Sequence, residues 1–292
     1  SSAEDYARLL QITAPLIRKN CPGAKIGGCC GTVRPDYEWQ IHFFKTGAPK
    51  LLDFMSIHQY RIIPEVQWDR TVSCWKRLFA QNGNPEIEIW MGESGYPSWS
   101  PENHWIGMYL HNSQENQAKW LLRRYVCDFG NGIARTSLFQ MVDLTAKPYQ
   151  MAEKIQDPMK VARHGLIDGF EYEPKKSHYA LSHLSALFDA ETLPQDYFCF
   201  PETEPILPKK AQVSKLLEPA IYIRTFERNG WAMYVYYLPE DIQLNAGYYG
   251  LNLAVLAEEA PKPLEEPVLV DLLSGIVYDM AERDNPNLFT RL

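Results

Sequence analysis

A carboxylate at the end of an apolar run is the first feature of this sequence that could do chemistry. Residues 87–91 (IEIWM) alternate and are rich in β-branched and aromatic side chains, and Gly92 and Glu93 follow them directly. This pattern predicts a buried strand that breaks at the glycine, so Glu93 is expected where the strand passes into a loop. Because loops at strand ends present catalytic groups on a rigid scaffold, Glu93 is a candidate catalytic carboxylate.

A histidine and a tyrosine end a second apolar run, residues 51–60 (LLDFMSIHQY). His58 and Tyr60 are two residues apart, so the alternation of a strand places both on one face. Together with Glu93 they suggest a site that cleaves a sugar bond, of which half is expected to be missing from the sequence. Asp53, inside the same run, is expected to be a buried structural acid that needs a hydrogen-bonded partner.

Alternating helices and strands are predicted to position these side chains. Apolar spacing predicts helices over residues 4–20, 66–81, 113–129 and 177–188. Strands are predicted over residues 24–30, 51–60, 86–91 and 133–142, and each is apolar along its whole length. Strands joined by helical crossovers imply a parallel sheet that is buried on both faces. Ser113 is a plausible N-cap, and Pro15 is expected to kink or split the first helix.

The apolar residues of the first helix are predicted to form its inward stripe. They recur at helical spacing and are Tyr6, Leu9, Leu10, Thr13, Leu16 and Ile17.

The pattern changes after residue 190. Residues 193–210 contain four prolines and no clear period, so they are interpreted as a linker. Strands are then predicted over residues 220–226, 231–238, 248–256, 268–272 and 276–280. Arg228-Asn229-Gly230 and Ser274-Gly275 predict hairpins. The sequence therefore predicts an α/β portion over residues 1–192, followed by a linker and an antiparallel β-sandwich-like domain over residues 193–292.

The order of these motifs resembles the C-terminal half of a (β/α)8-barrel retaining glycoside hydrolase, in the β-xylosidase and α-L-iduronidase-like families. The segment LLDFMSIHQY is similar to the sixth strand, and IEIWMGESGYPS is similar to the seventh. QAKWLLRRYVCDFGNGIARTSLFQMVD resembles the helix and eighth strand that follow, and VLVDLLSGIVYDM a strand pair of the β-domain often appended to such barrels. The resemblance implies TIM-barrel-type (β/α) units, strands five to eight.

In those families two carboxylates act, with their oxygens about 5–5.5 Å apart. The resemblance implies that Glu93 is the nucleophile, and that His58 and Tyr60 line the site and orient it. The acid/base normally lies in an Asn-Glu pair before the helix with which this sequence begins. It is therefore expected to lie outside these residues, either in a longer polypeptide, which is favoured, or in a second chain or another copy that completes the barrel.

Five further residues are candidate substrate-binding groups. Tyr96, Trp99 and Trp105 follow Glu93 in a loop and are expected either to stack on sugar rings or to pin the loop. Phe139 and Gln140 end the fourth predicted strand, where the resembled families often keep a tryptophan under the sugar. Asp143 is interpreted as a loop or capping carboxylate.

The composition and charge of the sequence bear on which classes of partner to expect. The net charge of −7 gives no reason to expect nucleic acid or an anionic membrane, and no apolar run approaches the length of a membrane span. The six cysteines include no CxxC pair and are expected to be reduced, so no metal or organic cofactor is implied. The resemblance suggests an oligo- or polysaccharide substrate and a secreted or periplasmic location. The alternatives are a non-catalytic carbohydrate-binding protein and a partner subunit that completes a barrel.

Overall fold

The computed structural model describes residues 2–31, 37–99, 112–144, 163–205, 221–239, 249–256 and 267–280. The chain forms two compact units. The first contains Ser1–Gly95 and Asn131–Phe139, and the second contains Tyr96–Gly130 and Gln140–Leu292. Mixed α/β structure with one parallel sheet and several antiparallel sheets is present, as the sequence predicts.

The first unit is a parallel sheet with helices between its strands. Its four strands lie side by side in chain order, β1-β2-β3-β4, and every neighbouring pair is parallel. The elements are α1 (Ala3–Asn20), β1 (Gly27–Gly31), α2 (Tyr37–Lys45), a 3-10 helix (Ala48–Leu51), β2 (Phe54–His58), α3 (Trp68–Gln81), β3 (Glu88–Ser94) and β4 (Arg135–Leu138).

Helix α1 buries only part of the stripe that was predicted. It begins at a capped turn, in which the Ser2 hydroxyl accepts a hydrogen bond from the Asp5 N–H, and it runs through Pro15 without a break. Its buried residues are Ala3, Ala7, Leu10 and Ala14. Of the predicted stripe, Leu10 is buried and Tyr6 and Thr13 are half-buried, whereas Leu9, Leu16 and Ile17 are exposed because small alanines, which allow close packing, line most of the buried side.

The sheet buries one face more deeply than the other. In β2 and β3, buried side chains alternate with half-buried ones, and the buried set is Met55, Ile57, Ile89 and Met91. On the opposite face the rings of Phe54 and Trp90 stack with their centroids 3.6 Å apart. The expectation of strands buried equally on both faces was therefore wrong for these two strands.

Among its described residues, the second unit contains two helices and three antiparallel sheets. Its helices are α4 (Gln114–Gly130) and α5 (Lys176–Leu187), and the Ser113 hydroxyl accepts a hydrogen bond from the Asn116 N–H at 3.0 Å, as the predicted N-cap requires. The strands are β5 (Thr192–Gln195), β6 (Cys199–Pro205), β7 (Tyr222–Arg228), β8 (Trp231–Tyr237), β9 (Tyr249–Val255), β10 (Val268–Val270) and β11 (Val277–Asp279). They pair as β5-β7-β8, β6-β9 and β10-β11.

The predicted linker is largely ordered. β5 and β6 lie within residues 193–210, so the linker interpretation was wrong there, and residues 206–210 lie outside the described residues. Prolines mislead here because Pro194 and Pro201 sit within strands that pair along only one edge in the described part of the sheets. The two predicted hairpins are present, and Asn229 and Gly230 have the positive φ angles, 54° and 81°, that a two-residue turn requires.

Helix α2 was not predicted from the sequence. It is only nine residues long. Its buried aromatic rings pack against α1 and α3: between ring centroids, Phe43 lies 5.3 Å from Tyr6 and Phe44 lies 4.8 Å from Phe79. Among the described helices, none combines the length and the apolar character needed to cross a membrane.

Candidate active site

The candidate site lies where the strands of the parallel sheet end. β2 ends at His58, β3 ends at Ser94, and the pairing register sets His58 opposite Glu93. Glu93 is thus the penultimate residue of β3, close to the predicted point at which the strand passes into a loop, because pairing with β2 continues past Gly92. The Gln59 N–H, which donates to the Glu93 carbonyl at 3.2 Å, extends this pairing by one residue.

Two side chains from the neighbouring strand contact the Glu93 carboxylate. The Tyr60 hydroxyl donates a hydrogen bond to Oε1. His58 Nδ1 lies 3.7 Å from Oε2, close enough for an ion pair when the imidazole is protonated. The sequence predicted this grouping of residues but not its geometry: β2 ends before Tyr60, so the tyrosine reaches Glu93 from the segment after the strand and not from the same strand face as His58.

Gly92 leaves the space in which His58 lies. A Cβ added at this glycine would lie 2.2 Å from Ser56 Oγ and 3.1 Å from His58 Nε2. Any larger residue would therefore push Ser56 or His58 away from β3. Neither Ser56 nor Gly92 was singled out from the sequence, although the signal was there: Ser56 lies two residues before His58 and so shares its strand face.

The carboxylate is fixed but still accessible. The side chain of Glu93 is 36 % exposed and that of His58 is 27 % exposed. An ionised carboxylate that accepts a directed hydrogen bond and remains open to solvent can attack an electrophilic carbon or exchange a proton with a bound molecule.

Phe139 is brought to the same edge of the sheet. It follows β4 directly, it is half-buried, and its backbone N–H donates to the Ser94 carbonyl at 2.7 Å. The structure therefore places Phe139 one strand away from Glu93. Its contact with substrate stays a prediction.

Three of the remaining predicted residues, Tyr96, Trp99 and Gln140, belong to the second unit. Tyr96 is 1 % exposed and stacks on Trp120 at 5.8 Å between centroids, a burial that favours the alternative in which it pins its segment. A substrate-binding role for Tyr96 stays a prediction. Trp99 is half-buried beneath the Arg163 guanidinium at 5.2 Å, and Gln140 takes part in backbone hydrogen bonds with His164 and Leu166. Binding roles for Trp99 and Gln140 stay predictions, and Trp105 lies outside the described residues.

Metal ligands are not gathered in the described part of the chain. Within it, no group of three or more His, Cys, Asp or Glu side chains could hold a metal ion, and none of the five cysteines whose side chains are described forms a disulfide. The site there consists of a carboxylate, a phenol and an imidazole.

Comparisons with known proteins give matches among solved structures only. No known family's profile matches the sequence, and no curated protein matches it. The chain is similar to a glucosidase from Croceicoccus marinus (TM-score 0.47, 11 % identity), covering 63 % of this chain and 36 % of that one. It is similar to a GH39 β-xylosidase from Caulobacter crescentus (TM-score 0.42, 17 % identity, 76 % and 48 % covered). It is also similar to a GH2 β-galacturonidase from Eisenbergiella tayi (TM-score 0.39, 15 % identity, 59 % and 28 % covered).

These three structural neighbours are glycosidases, and the chain spans less than half the length of each. Their TM-scores lie below 0.5.

Proposed function

We propose that this chain carries the nucleophile of a retaining glycoside hydrolase, which acts on an oligo- or polysaccharide. One observation carries the proposal: at the carboxyl ends of two adjacent parallel strands, Tyr60 and His58 hold the half-exposed carboxylate of Glu93. A hydrogen bond to the ionised form of a carboxylate favours that form, which is the form a nucleophile needs.

The order of the strands supports the barrel portion of the proposal. β1 to β4 neighbour one another in chain order, with no reversal in the described sheet. Doubly wound sheets reverse their strand order at a switch point, whereas (β/α)-barrels add each strand beside the last. In barrels the catalytic side chains lie at the carboxyl ends of the strands, where Glu93 is found.

In the proposed first step, a Glu93 oxygen bonds to the anomeric carbon, the bond from that carbon to the leaving oxygen breaks, and a general acid gives the leaving oxygen a proton. Water then gives a proton to the same group, now acting as base, and bonds to the anomeric carbon as the bond to Glu93 breaks, which restores the carboxylate. Tyr60 and His58 keep Glu93 oriented. Retention requires a second carboxylate with its oxygens about 5–5.5 Å away, and we assign no residue of this chain to that role.

An activated substrate tests Glu93 separately from the acid. A 2,4-dinitrophenyl 2-deoxy-2-fluoro-glycoside has a leaving group that departs without protonation, and its fluorine slows hydrolysis of the ester. Incubation of the chain with a panel of such glycosides (gluco, xylo, galacto and glucurono) should release one equivalent of dinitrophenolate. Peptide mass spectrometry should then find the sugar on the peptide that contains Glu93.

Two variants test whether the sugar is attached to Glu93 itself. Glu93→Gln should abolish the adduct. Glu88→Gln should keep it, because Glu88 lies at the amino end of the same strand and pairs there with Lys25. An adduct on another carboxylate, or none with any sugar, would contradict the assignment. Sugar binding by calorimetry without any adduct would favour the carbohydrate-binding alternative.

A further inference from the structure

Helix α1 has a second apolar stripe that faces away from its own unit. Its buried stripe is Ala3, Ala7, Leu10 and Ala14. On another side of the same helix, Leu9, Ile12 and Leu16 are 58 %, 56 % and 55 % exposed. A helix that packs against one neighbour needs one apolar stripe, so two stripes indicate a second packing partner.

The spacing of this outer stripe is that of a helix–helix contact. Asp5, Leu9, Ile12, Leu16 and Lys19 follow one another at intervals of four, three, four and three residues. This 3.5-residue period keeps all five side chains on one side of the helix, as along the seam of a coiled coil. We call these five residues the outer seam.

The charges of the outer seam identify the partner that fits it. The seam begins with an acid, has three apolar residues at its centre, and ends with a base. An antiparallel copy of the same helix would set Leu9 against Leu16 and bring Asp5 to Lys19 at both ends, with Ile12 near the two-fold axis. A parallel copy would set like charges together.

The other charges near these helix ends have partners within their own unit. Glu4 lies 3.6 Å from His42, and Arg18 pairs with Asp53 at 3.0 Å. Asp5 and Lys19 are exposed, and no ion pair engages them within the described part of the chain. They are therefore available to a neighbouring molecule.

We infer that two copies of this chain associate through their outer seams, with the α1 helices antiparallel. Five side chains per copy cover less than the roughly 800 Å² per partner of a standard interface. The dimer is therefore weak and concentration-dependent, with half-dissociation at roughly 10 µM to 1 mM. Low salt strengthens it, because its end contacts are exposed ion pairs.

Analytical ultracentrifugation of the full chain across that concentration range tests the inference. The wild-type chain should shift from monomer to dimer, and Ile12→Glu should raise the dissociation constant at least tenfold. Gln11→Glu, which adds the same charge to the same helix away from the seam, should leave it unchanged. Circular dichroism of each variant checks that the helix is retained. A monomer at every concentration, or a dimer insensitive to Ile12→Glu, would overturn the inference.

A charge exchange separates pairing from simple damage to the helix. Asp5→Lys and Lys19→Glu should each weaken the dimer several-fold, because each sets like charges together at both ends. The double variant should recover the wild-type constant within about twofold, since both pairs re-form with reversed signs. Each substitution also opposes the helix dipole, so damage to the helix alone would make the double variant the weakest. That outcome would equally overturn the inference.

Discussion

Tyr60 reaches Glu93 from a position that strand alternation alone does not describe. The sequence predicted that a glutamate, a histidine and a tyrosine would meet, because each lies near the end of an apolar run. It could not predict where β2 stops. β2 ends at His58, and the Tyr60 hydroxyl donates to the Glu93 carboxylate from the segment that follows the strand. The side chain is long enough to make the contact, so the grouping of residues was predictable although the face was not.

Tyr60→Phe removes the hydrogen bond to Glu93 and keeps the ring. A hydrogen bond to a charged group contributes about 1.5–3 kcal/mol. If that interaction orients the nucleophile, dinitrophenolate release should slow roughly 10- to 150-fold. Stopped-flow absorbance under single-turnover conditions measures this step directly.

A second tyrosine–glutamate pair provides the control for Tyr60. The Tyr197 hydroxyl donates to Glu227 at 3.0 Å in the antiparallel part of the chain. Tyr197→Phe should leave the release rate unchanged. Equal rates for Tyr60→Phe and wild type would show that Tyr60 does not position Glu93.

At the scale of elements, the buried face of α3 follows from its apolar spacing, whereas that of α1 does so only in part. Residues 66–81 have an apolar stripe of Trp68, Val72, Trp75, Leu78 and Phe79; in α3 Leu78 is half-buried and the other four are buried. The apolar residues of α1 lie on two sides, and the pattern alone does not say which side packs inward. The alanines of α1 face inward because a helix that bears small residues can approach its neighbour closely.

Asp53 joins α1 to the start of two strands and has the hydrogen-bonded partners predicted for a structural acid, but it lies just before β2 and is half-buried, so its expected burial inside the strand was wrong. Its carboxylate accepts hydrogen bonds from Arg18 at 3.0 Å and from the Ile26 N–H at 2.7 Å. Burial alone would raise the pKa of Asp53, but these hydrogen bonds and the nearby Arg18 and Lys25 charges lower it below its ordinary 3.8. Because its pKa is lower in the folded chain than in the unfolded one, ionised Asp53 stabilises the fold at pH values above 3.8. This stability is lost as the pH falls through the lowered pKa of the folded chain.

Asp53→Asn should therefore destabilise the chain at neutral pH and cost less in acid. We expect a loss of about 1 kcal/mol in the free energy of unfolding at pH 7, since the Arg18 side of the pair is exposed. The difference from wild type should shrink once the pH falls below 3.8. Urea unfolding followed by circular dichroism at pH 7 and in acid measures both.

Asp196→Asn is the matched control, because Asp196 is exposed and its substitution should change little at either pH. A loss for Asp53→Asn that is the same at both pH values would show that the charge of Asp53 is not what matters.

At the scale of the whole molecule, contacts distant in sequence escaped prediction. Asp143 lies outside the helices and strands, as its interpretation as a loop carboxylate predicted, but its burial and its lysine partner were not predicted. It is 4 % exposed, its Oδ1 accepts from Lys175 Nζ at 2.6 Å and from the Gly165 N–H at 2.7 Å, and Lys175 also donates to Ser98 at 2.9 Å. These residues lie up to 77 positions apart, and no local pattern indicates that they meet.

Burial of the Asp143–Lys175 ion pair costs free energy, because both charged groups lose contact with water. Burial raises the pKa of Asp143 and lowers the pKa of Lys175, because desolvation outweighs the hydrogen bond and attraction between them. Each charge therefore depends on its partner, and removing one of them should cost far more than the pair contributes.

Lys175→Met should destabilise the second unit by about 3–5 kcal/mol, because it leaves the Asp143 carboxylate buried without its cation. Adding Asp143→Asn should recover most of the loss, since the amide is neutral and its oxygen still accepts from the Gly165 N–H. Lys176→Met, at the next residue, removes a lysine that is 63 % exposed and pairs with Glu115 at 3.5 Å, so it should cost less than about 1 kcal/mol. Urea unfolding of the wild type and the three variants measures these losses. If Lys175→Met lowers the free energy of unfolding no more than Lys176→Met does, the buried pair does not hold together the segments that contain Ser98, Asp143 and Lys175.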